Sequence, residues 1–272
     1  MAFGYCKLTR RQGTFVASHL IPKALTRPSE PGRFFIEAGK GNRPNIRWDS
    51  WFDKSLVIRS GEDILSSIDS NGIAELRKHQ LLWSGRDFGA HVPDVTWVNE
   101  EFGFGFRVVK NVDGKKLRLF LLSILWRAAA TNRREFEEIN VSSRDLEQLR
   151  QMVLNGSVEP RAFYPAVLTQ LTEIGEAHNF APSAEEQERP ALDDLPAGKI
   201  PTFRFYFNGL IVHFTKPSVD LKSLLHLDGL HVGGDELMVC TQRTDKSYQV
   251  SNMQKLVKEA HEEWPDVMNK IR

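Results

Sequence analysis

The sequence predicts an α+β protein, and three observations support this class. Residues 14–70 read as strand, loop, strand and helix. Two later segments, 117–131 and 142–156, have the apolar spacing and the end residues that are typical of helices. Residues 202–214 form two alternating runs around an Asn-Gly pair at 208–209, which is the strongest short signal of a β-hairpin.

The N-terminal elements follow from local composition. The first strand is predicted at residues 14–22, TFVASHLIP. Three prolines and five glycine or asparagine residues then interrupt 26–47, which predicts a long loop, and such loops in compact domains are functional or disordered. SLVI at 55–58 is the second strand, and a helix is expected to begin at Ser60, a suitable N-cap followed by acidic residues.

Further elements are predicted along the rest of the chain. Residues 71–83 read as helical, and a hairpin is expected within 104–119. The polar, acidic segment 181–199 is the best candidate for an interdomain linker. A third strand is expected at 236–242, and a helix at 252–264.

These elements divide the chain of 272 residues into three regions. Residues 1–83 are expected to form an N-terminal unit with a basic loop, 84–180 a helical region, and 200–272 a C-terminal α+β region that contains the hairpin. The length allows one large domain or two small ones, with a core of ordinary size.

The net charge of +1 hides a basic N-terminal segment. Residues 1–60 contain eleven Lys or Arg against four Asp or Glu, a local charge of +7, so the remaining residues sum to −6. A basic segment on an acidic body suits a polyanion such as nucleic acid. The alternative interpretation is a solvated basic loop without a partner.

Cysteine content and hydropathy indicate a cytoplasmic protein without a membrane segment. The two cysteines, Cys6 and Cys240, lie far apart and in no disulfide or metal-binding spacing, which favours a reducing compartment. The N-terminal residues lack the apolar run of a signal peptide. The most apolar segment, 117–130, is too short and too flanked by charge to span a bilayer.

His19 is the main candidate for chemistry, because a histidine pKa near neutrality suits general-base catalysis. A single histidine on a strand is more often structural. Here it is followed by a basic loop, a second strand and a helix that starts with acids, a ββα order in which histidine and carboxylates can meet around one metal ion.

The residues around His19 resemble the HNH endonuclease superfamily. The segment C-x-L…G-x-F-V-x-S-H-L-I-P-K-A-L, followed by W-F-D-K-S-L-V-I, is most similar to the bacterial variant whose first strand reads "SHIIP". The similarity continues through LRLFLLSILWRAAA and LEQLRQMVLNG, and so covers about residues 5–155. It implies an HNH-like ββα-metal unit with a helical bundle, and a role in phage defence or in a mobile element.

The resemblance also implies an active site. His19 would be the general base that activates water, and Asp53 stands where relatives carry the middle asparagine, which orients the histidine or supports the metal. Glu62 would be a metal ligand, and Ser18 stands where many relatives carry a further ligand. The implied reaction is hydrolysis of DNA phosphodiester bonds with one Mg²⁺ or Mn²⁺ ion, with RNA left open as a substrate.

Several basic residues of the N-terminal region are expected to contact the nucleic acid. They are Lys23, Arg27, Arg33, Lys40, Arg43, Arg47 and Lys54. The C-terminal region is expected to recognise a protein partner or the substrate.

One departure from the relatives supports a second hypothesis. Many relatives carry four zinc-binding cysteines, whereas this chain has Cys6, Thr9, Ile58 and Gly61 at the corresponding positions. No structural zinc is therefore expected. This loss, together with Ser18, favours an inactive HNH-like scaffold that binds nucleic acid or protein without cutting.

Other conspicuous residues have simpler interpretations. The alternating phenylalanines 203, 205 and 207 could stack on bases, but a core face is the better prediction. Trp126 is predicted to be core, and Arg127 beside it to reach a carboxylate or a phosphate. His213, which alternates with apolar neighbours, is predicted to be structural.

Overall fold

This computed structural model describes residues 2–27, 34–39, 42–48, 50–87, 92–189, 197–217 and 229–271. The predicted mixture of α and β structure is confirmed. The described strands are β1 (Phe3–Tyr5), β2 (Gln12–Thr14), β3 (Ser18–His19), β4 (Phe35–Gly39), β5 (Asn42–Arg47), β6 (Phe52–Asp53), β7 (Thr96–Asn99), β8 (Phe104–Lys110), β9 (Ala166–Leu171), β10 (Ser183–Arg189), β11 (Gly198–Phe207), β12 (Leu210–Thr215) and β13 (Glu236–Gln242). The described helices are α1 (Lys23–Thr26), α2 (Arg59–Lys78), α3 (Gly114–Ala130), α4 (Ser143–Asn155), α5 (Tyr248–Glu263) and α6 (Pro265–Ile271).

Seven strands form one mixed sheet in the order β10-β11-β12-β9-β13-β8-β7. Neighbouring strands are antiparallel except for β9 and β13, which are parallel. The sheet takes strands from both the 84–180 and the 200–272 regions. These two parts of the chain therefore share one sheet and one continuous core.

Helix α3 packs against the inner face of this sheet and is buried along most of its length. Phe120 of α3 contacts Phe207 of β11 edge to face, with ring centroids 6.5 Å apart. On its other side, α3 packs closely against α2 at Gly72, where a Cβ would come within 2.2 Å of Phe120 Cγ. Only glycine allows this approach of the two helices. Within the described residues, no helix has the length and apolarity needed to cross a bilayer.

The predicted hairpin is present between β11 and β12. Phe207 pairs with Leu210, and both turn residues adopt positive φ, 51° at Asn208 and 80° at Gly209. This backbone matches a two-residue turn in which both positions favour Asn or Gly. The three alternating phenylalanines of β11 are fully buried, so the predicted core face is correct.

Helix α4 also begins and ends as its sequence indicates. The Ser142 side chain accepts a hydrogen bond from the backbone N–H of Asp145, and Gly156 ends the helix with a φ of 67°. The strand at 236–242 is present too, but it pairs with β8 and β9 rather than with the hairpin.

The N-terminal prediction was wrong in detail. Residues 14–22 are not one strand, because β2 ends at Thr14 and β3 contains only Ser18 and His19. The segment 26–47 is not a continuous loop, since β4 and β5 form a hairpin within it. Pro44, within β5, did not prevent pairing, because proline is tolerated where its missing N–H is not required by the ladder.

Three further boundaries differ from the prediction. Helix α2 begins without a side-chain cap after Ile58, so Ser60 is not its N-cap, and the helix runs unbroken to Lys78. No hairpin lies within 104–119, because β8 pairs with β7 and β13 and is followed by α3. The predicted linker contains β10, an edge strand of the sheet, while its residues 190–196 lie outside the described part.

Candidate functional site

The candidate residues lie on a small antiparallel strand pair followed by a helix. In β3 and β6, Ser18 stands opposite Asp53 and His19 stands opposite Phe52. The chain then enters α2, whose first turn contains Glu62. The predicted second strand at 55–58 is wrong, because β6 contains only Phe52 and Asp53, and α1 and the β4–β5 hairpin lie between β3 and β6.

Asp53 is buried and its carboxylate accepts three hydrogen bonds. One oxygen accepts from the backbone N–H and the hydroxyl of Ser55, both at 2.7 Å, and the other accepts from Thr131 Oγ1 at 2.7 Å. Burial alone would raise the pKa of Asp53, but these hydrogen bonds and the nearby Lys7 ammonium bring it below its usual value of 3.8. The observed contacts of Asp53 thus fix the turn after β6 and tie it to the end of α3.

Side chains at the C-terminal end of α3 hold the backbone of both strands. Arg127 donates to the carbonyl of His19 at 3.1 Å, and Arg133 donates to the carbonyl of Phe52 at 2.9 Å. Arg127 is almost fully buried and also binds both oxygens of Asp69 in α2, at 2.6 and 2.9 Å. The predicted contact of Arg127 with a carboxylate is therefore found. Because a bidentate pair fixes the guanidinium plane, it also fixes the position of β3.

His19 occupies a half-buried position at the edge of this pair. Its ring lies against the ring of Phe52, with centroids 6.2 Å apart and planes at 62°. The next residue, Leu20, donates its N–H to the carbonyl of Trp51 at 3.0 Å, which continues the strand contact beyond His19.

Two of the candidate ligands carry buried oxygens that no hydrogen bond satisfies. Ser18 Oγ and Glu62 Oε2 are both inaccessible to water and have no partner among the residues that the structure describes. A buried polar atom without a partner costs free energy and calls for an explanation such as an ion or a ligand. The Glu62 side chain as a whole is half-buried, and only this one of its oxygens is inaccessible and without a partner.

The candidate ligands form no enclosed metal site. No group of three or more His, Cys, Asp or Glu side chains in the described ranges is close enough to hold a metal. The carboxylate of Asp53 already accepts three hydrogen bonds. Mg²⁺ commonly keeps several waters and is bound by one or two carboxylates plus substrate phosphates, so this ion does not require an enclosed protein site.

The four positions that correspond to the zinc cysteines of relatives lie together and pack as apolar groups. Cys6 Sγ accepts a hydrogen bond from the N–H of Thr9 at 3.3 Å. A Cβ on Gly61 would come within 2.9 Å of the same sulfur. Ile58, at the start of α2, is buried. Close packing at these positions gives a physical reason to expect no zinc there.

Four of the residues that were predicted to contact nucleic acid lie in different local environments. Lys23 and Arg27 are exposed at the two ends of α1, and Lys54 places its ammonium 5.5 Å from the centre of the Phe52 ring. Arg47 pairs with Glu37 at 2.7 Å on the β4–β5 hairpin.

The other three predicted contacts cannot be placed in the same way. The backbone of Arg43 lies in β5, and its side chain is outside the described part, as are Arg33 and Lys40.

A cleft of about 1510 Å³ adjoins the candidate site on the side of Phe52. Its walls come from the β4–β5 hairpin, residues 133–138, residues 176–183 and helices α5 and α6. Several of its charges neutralise one another, as in the pairs Arg47–Glu37 and Arg133–Glu135. Sequence reasoning missed this cleft because its walls come from four separate parts of the chain.

Comparisons of the chain with protein families, with curated proteins and with solved structures found no match.

Proposed function

We propose that this protein is a metal-dependent endonuclease of HNH type that hydrolyses phosphodiester bonds in DNA. One observation carries the proposal: His19 and Glu62 lie on a strand pair and on the first turn of the helix that follows it, and Glu62 Oε2 is buried without a partner. The basic N-terminal segment supports a polyanionic substrate. Roles in phage defence or in a mobile element belong to the same proposal.

In this proposal, His19 takes the proton of the attacking water, and Arg127 keeps β3 in position through the His19 carbonyl. Glu62 would hold the divalent ion, which would supply positive charge to stabilise the developing negative charge of the reaction. Asp53 acts indirectly, because its hydrogen bonds to Ser55 and Thr131 hold the strand that pairs with β3.

A second candidate function is a scaffold of the same shape that binds nucleic acid or protein without cutting it. The buried hydroxyl of Ser18 and the saturated carboxylate of Asp53 favour this alternative, since neither is placed as a typical ligand. Binding of DNA without any metal-dependent cleavage would support it.

The test is cleavage of supercoiled plasmid with Mg²⁺, with Mn²⁺ and with EDTA, and a parallel RNA substrate. Cutting is expected with either metal and not with EDTA. His19→Ala should lower the rate by about 10²–10⁴-fold, the usual contribution of a general base. His261→Ala, on α5, is the matched control and should cut at the wild-type rate. A wild type that cuts nothing with any metal, or a His19→Ala variant that cuts equally well, would reject the proposal.

A further inference from the structure

The β4–β5 hairpin presents an exposed apolar face made of two consecutive cross-strand pairs. Ile36 stands directly opposite Ile46, and Phe34 and Trp48 extend the same face by two residues on each strand. The rings of Phe34 and Trp48 meet edge to face, with centroids 5.5 Å apart. Exposure of the four side chains is 43% for Ile36, 39% for Ile46, 36% for Phe34 and 62% for Trp48.

A second exposed aromatic surface, at the β7–β8 edge of the sheet, differs from the hairpin face in its formal charge. Trp97 and Phe102, at the β7–β8 edge of the sheet, are 38% and 67% exposed. Residues 96–104 contain two glutamates and no basic residue, a formal charge of −2. Residues 34–48 contain three basic residues and one glutamate, a formal charge of +2. Of the two aromatic surfaces, the hairpin is therefore the one that complements a polyanion.

Aromatic rings on a basic surface select unpaired bases. In a duplex the bases are stacked on one another, so a protein ring reaches a base face only where the strands are open. Stacking of bases on exposed aromatic side chains, with cations along the backbone, is the usual mode of binding single strands. The edge-to-face geometry of Phe34 and Trp48 leaves the large indole exposed for such a contact.

The surface also lies close to the candidate site along the chain. Trp48 precedes Phe52 by four residues, and four residues span at most about 14 Å. Phe52 pairs with His19. Helix α5 contacts β4 and helix α6 contacts β5, and Phe34 and Ile36 of the hairpin line the same cleft as these helices.

We propose that the apolar face of this hairpin binds single-stranded nucleic acid, with unpaired bases stacked on Trp48 and Phe34. Cutting within or beside an open region follows only if the proposed function is right, whereas the binding stands without it. The inference thereby names a substrate class for the same site.

The test is fluorescence anisotropy with one labelled oligonucleotide, single-stranded or annealed to its complement, in EDTA so that no cleavage occurs. The single strand should bind more tightly than the duplex. One stacked base is worth about 1–3 kcal/mol, so Trp48→Ala should weaken single-strand binding by about 5- to 150-fold. Trp97→Ala removes an exposed tryptophan of similar kind from the acidic surface and should change nothing. Melting curves of both variants should match the wild type.

The outcomes separate this inference from the proposed function. Equal affinity for single strand and duplex, or equal effects of Trp48→Ala and Trp97→Ala, would overturn it and leave the face to a protein partner. Binding that depends on Trp48, without cleavage under any metal, would reject the nuclease and keep the inference. Plasmid cleavage that survives Trp48→Ala, with no single-strand binding in the wild type, would overturn the inference and keep the nuclease.

Discussion

The β3–β6 pair and the seven-stranded sheet are held in place by different interactions. The sheet buries long alternating runs, such as the phenylalanines of β11, against helix α3. Each strand of the β3–β6 pair has only two residues, and side chains from the end of α3 fix it: Arg127 at His19, Arg133 at Phe52 and Thr131 at Asp53. A few directional polar contacts here do what extensive apolar burial does in the sheet.

This difference teaches where the candidate site is vulnerable. Apolar burial is spread over many residues, so loss of it unfolds the whole protein. Polar contacts act at single atoms, so loss of one can displace His19 while the core remains folded. The predictions below test this separation, from the largest expected effect to the smallest.

The largest loss of stability is expected from a substitution in the core of the seven-stranded sheet. Phe205 is fully buried and contacts Phe214 edge to face at 5.4 Å. Phe205→Ala should lower the free energy of unfolding by about 3–5 kcal/mol, through lost burial and the cavity left behind. Phe104→Ala, at a well-exposed position of β8, should change it by less than about 0.5 kcal/mol. Urea unfolding measures both, and equal losses would contradict the assignment of the core.

A loss of about 3 kcal/mol is expected for Arg127→Met, because the carboxylate of Asp69 would be left partly buried without its partner. The variant should also speed hydrogen exchange at the Leu20 amide, which bonds across to Trp51. Arg118→Met is the control: Arg118 is a buried arginine of the same helix, and its bonds go to carbonyls of residues 158–163. That control should leave Leu20 protected, and equal exchange in the two variants would show that Arg127 does not hold β3.

Lowering the pH should destabilise the seven-stranded sheet and the β3–β6 pair in different pH ranges. Burial, with repulsion from Arg204, lowers the pKa of His213 in β12 from 6.5 to about 4. The unfolded chain therefore binds this proton first as the pH falls, and stability that is present above pH 6.5 is lost between 6.5 and 4. The loss should be about 3 kcal/mol, since the pKa falls by about 2.5 and one pKa unit corresponds to about 1.4 kcal/mol.

His213→Gln should flatten the stability curve over that range. The lowered pKa of Asp53 places the loss of its hydrogen bonds at more acidic pH, below its usual value of 3.8. Urea unfolding at a series of pH values separates the two. A curve that keeps its slope between pH 6.5 and 4 in His213→Gln would contradict the assignment.

The smallest effect on stability is expected when EDTA is added to chelate metal ions. Structural zinc contributes on the order of 10 kcal/mol in small zinc modules, so a zinc site would show as collapse in EDTA. Because Thr9 and Gly61 both lie directly against the Cys6 sulfur, we expect the same melting temperature with and without EDTA. A large drop would reveal a metal that holds the N-terminal unit.

The parts of the fold that the sequence predicts well are those in which local signals agree with burial. Asn208 and Gly209 specify their turn alone, and Ser142 and Gly156 mark the ends of α4. The alternation at 202–214 reports burial on one face of a strand. The two-residue strands β3 and β6 carry no such periodicity, since they are positioned by α3, more than seventy residues away in sequence.

The candidate site is predictable to a similar extent. His19, Asp53 and Glu62 follow from the resemblance, but local pattern placed the second strand at 55–58 instead of at Phe52–Asp53 and missed the β4–β5 hairpin. The contacts of Thr131 and Arg133 do not follow from the sequence, because nothing near those residues in sequence indicates which strand they reach. The exposure of Trp48 was equally hidden, since exposed and buried tryptophans look alike in a sequence.

The most direct test of the central claim is the Mn²⁺ dependence of cleavage by Glu62→Gln and His19→Ala, measured side by side. If Glu62 binds the ion, its variant should need more Mn²⁺ and should recover part of the wild-type rate as the metal rises. If His19 is the base, its variant should stay about 10²–10⁴-fold slower at every Mn²⁺ concentration. Full recovery of His19→Ala by metal, or wild-type rates for both variants without added metal, would contradict a catalytic site at this strand pair.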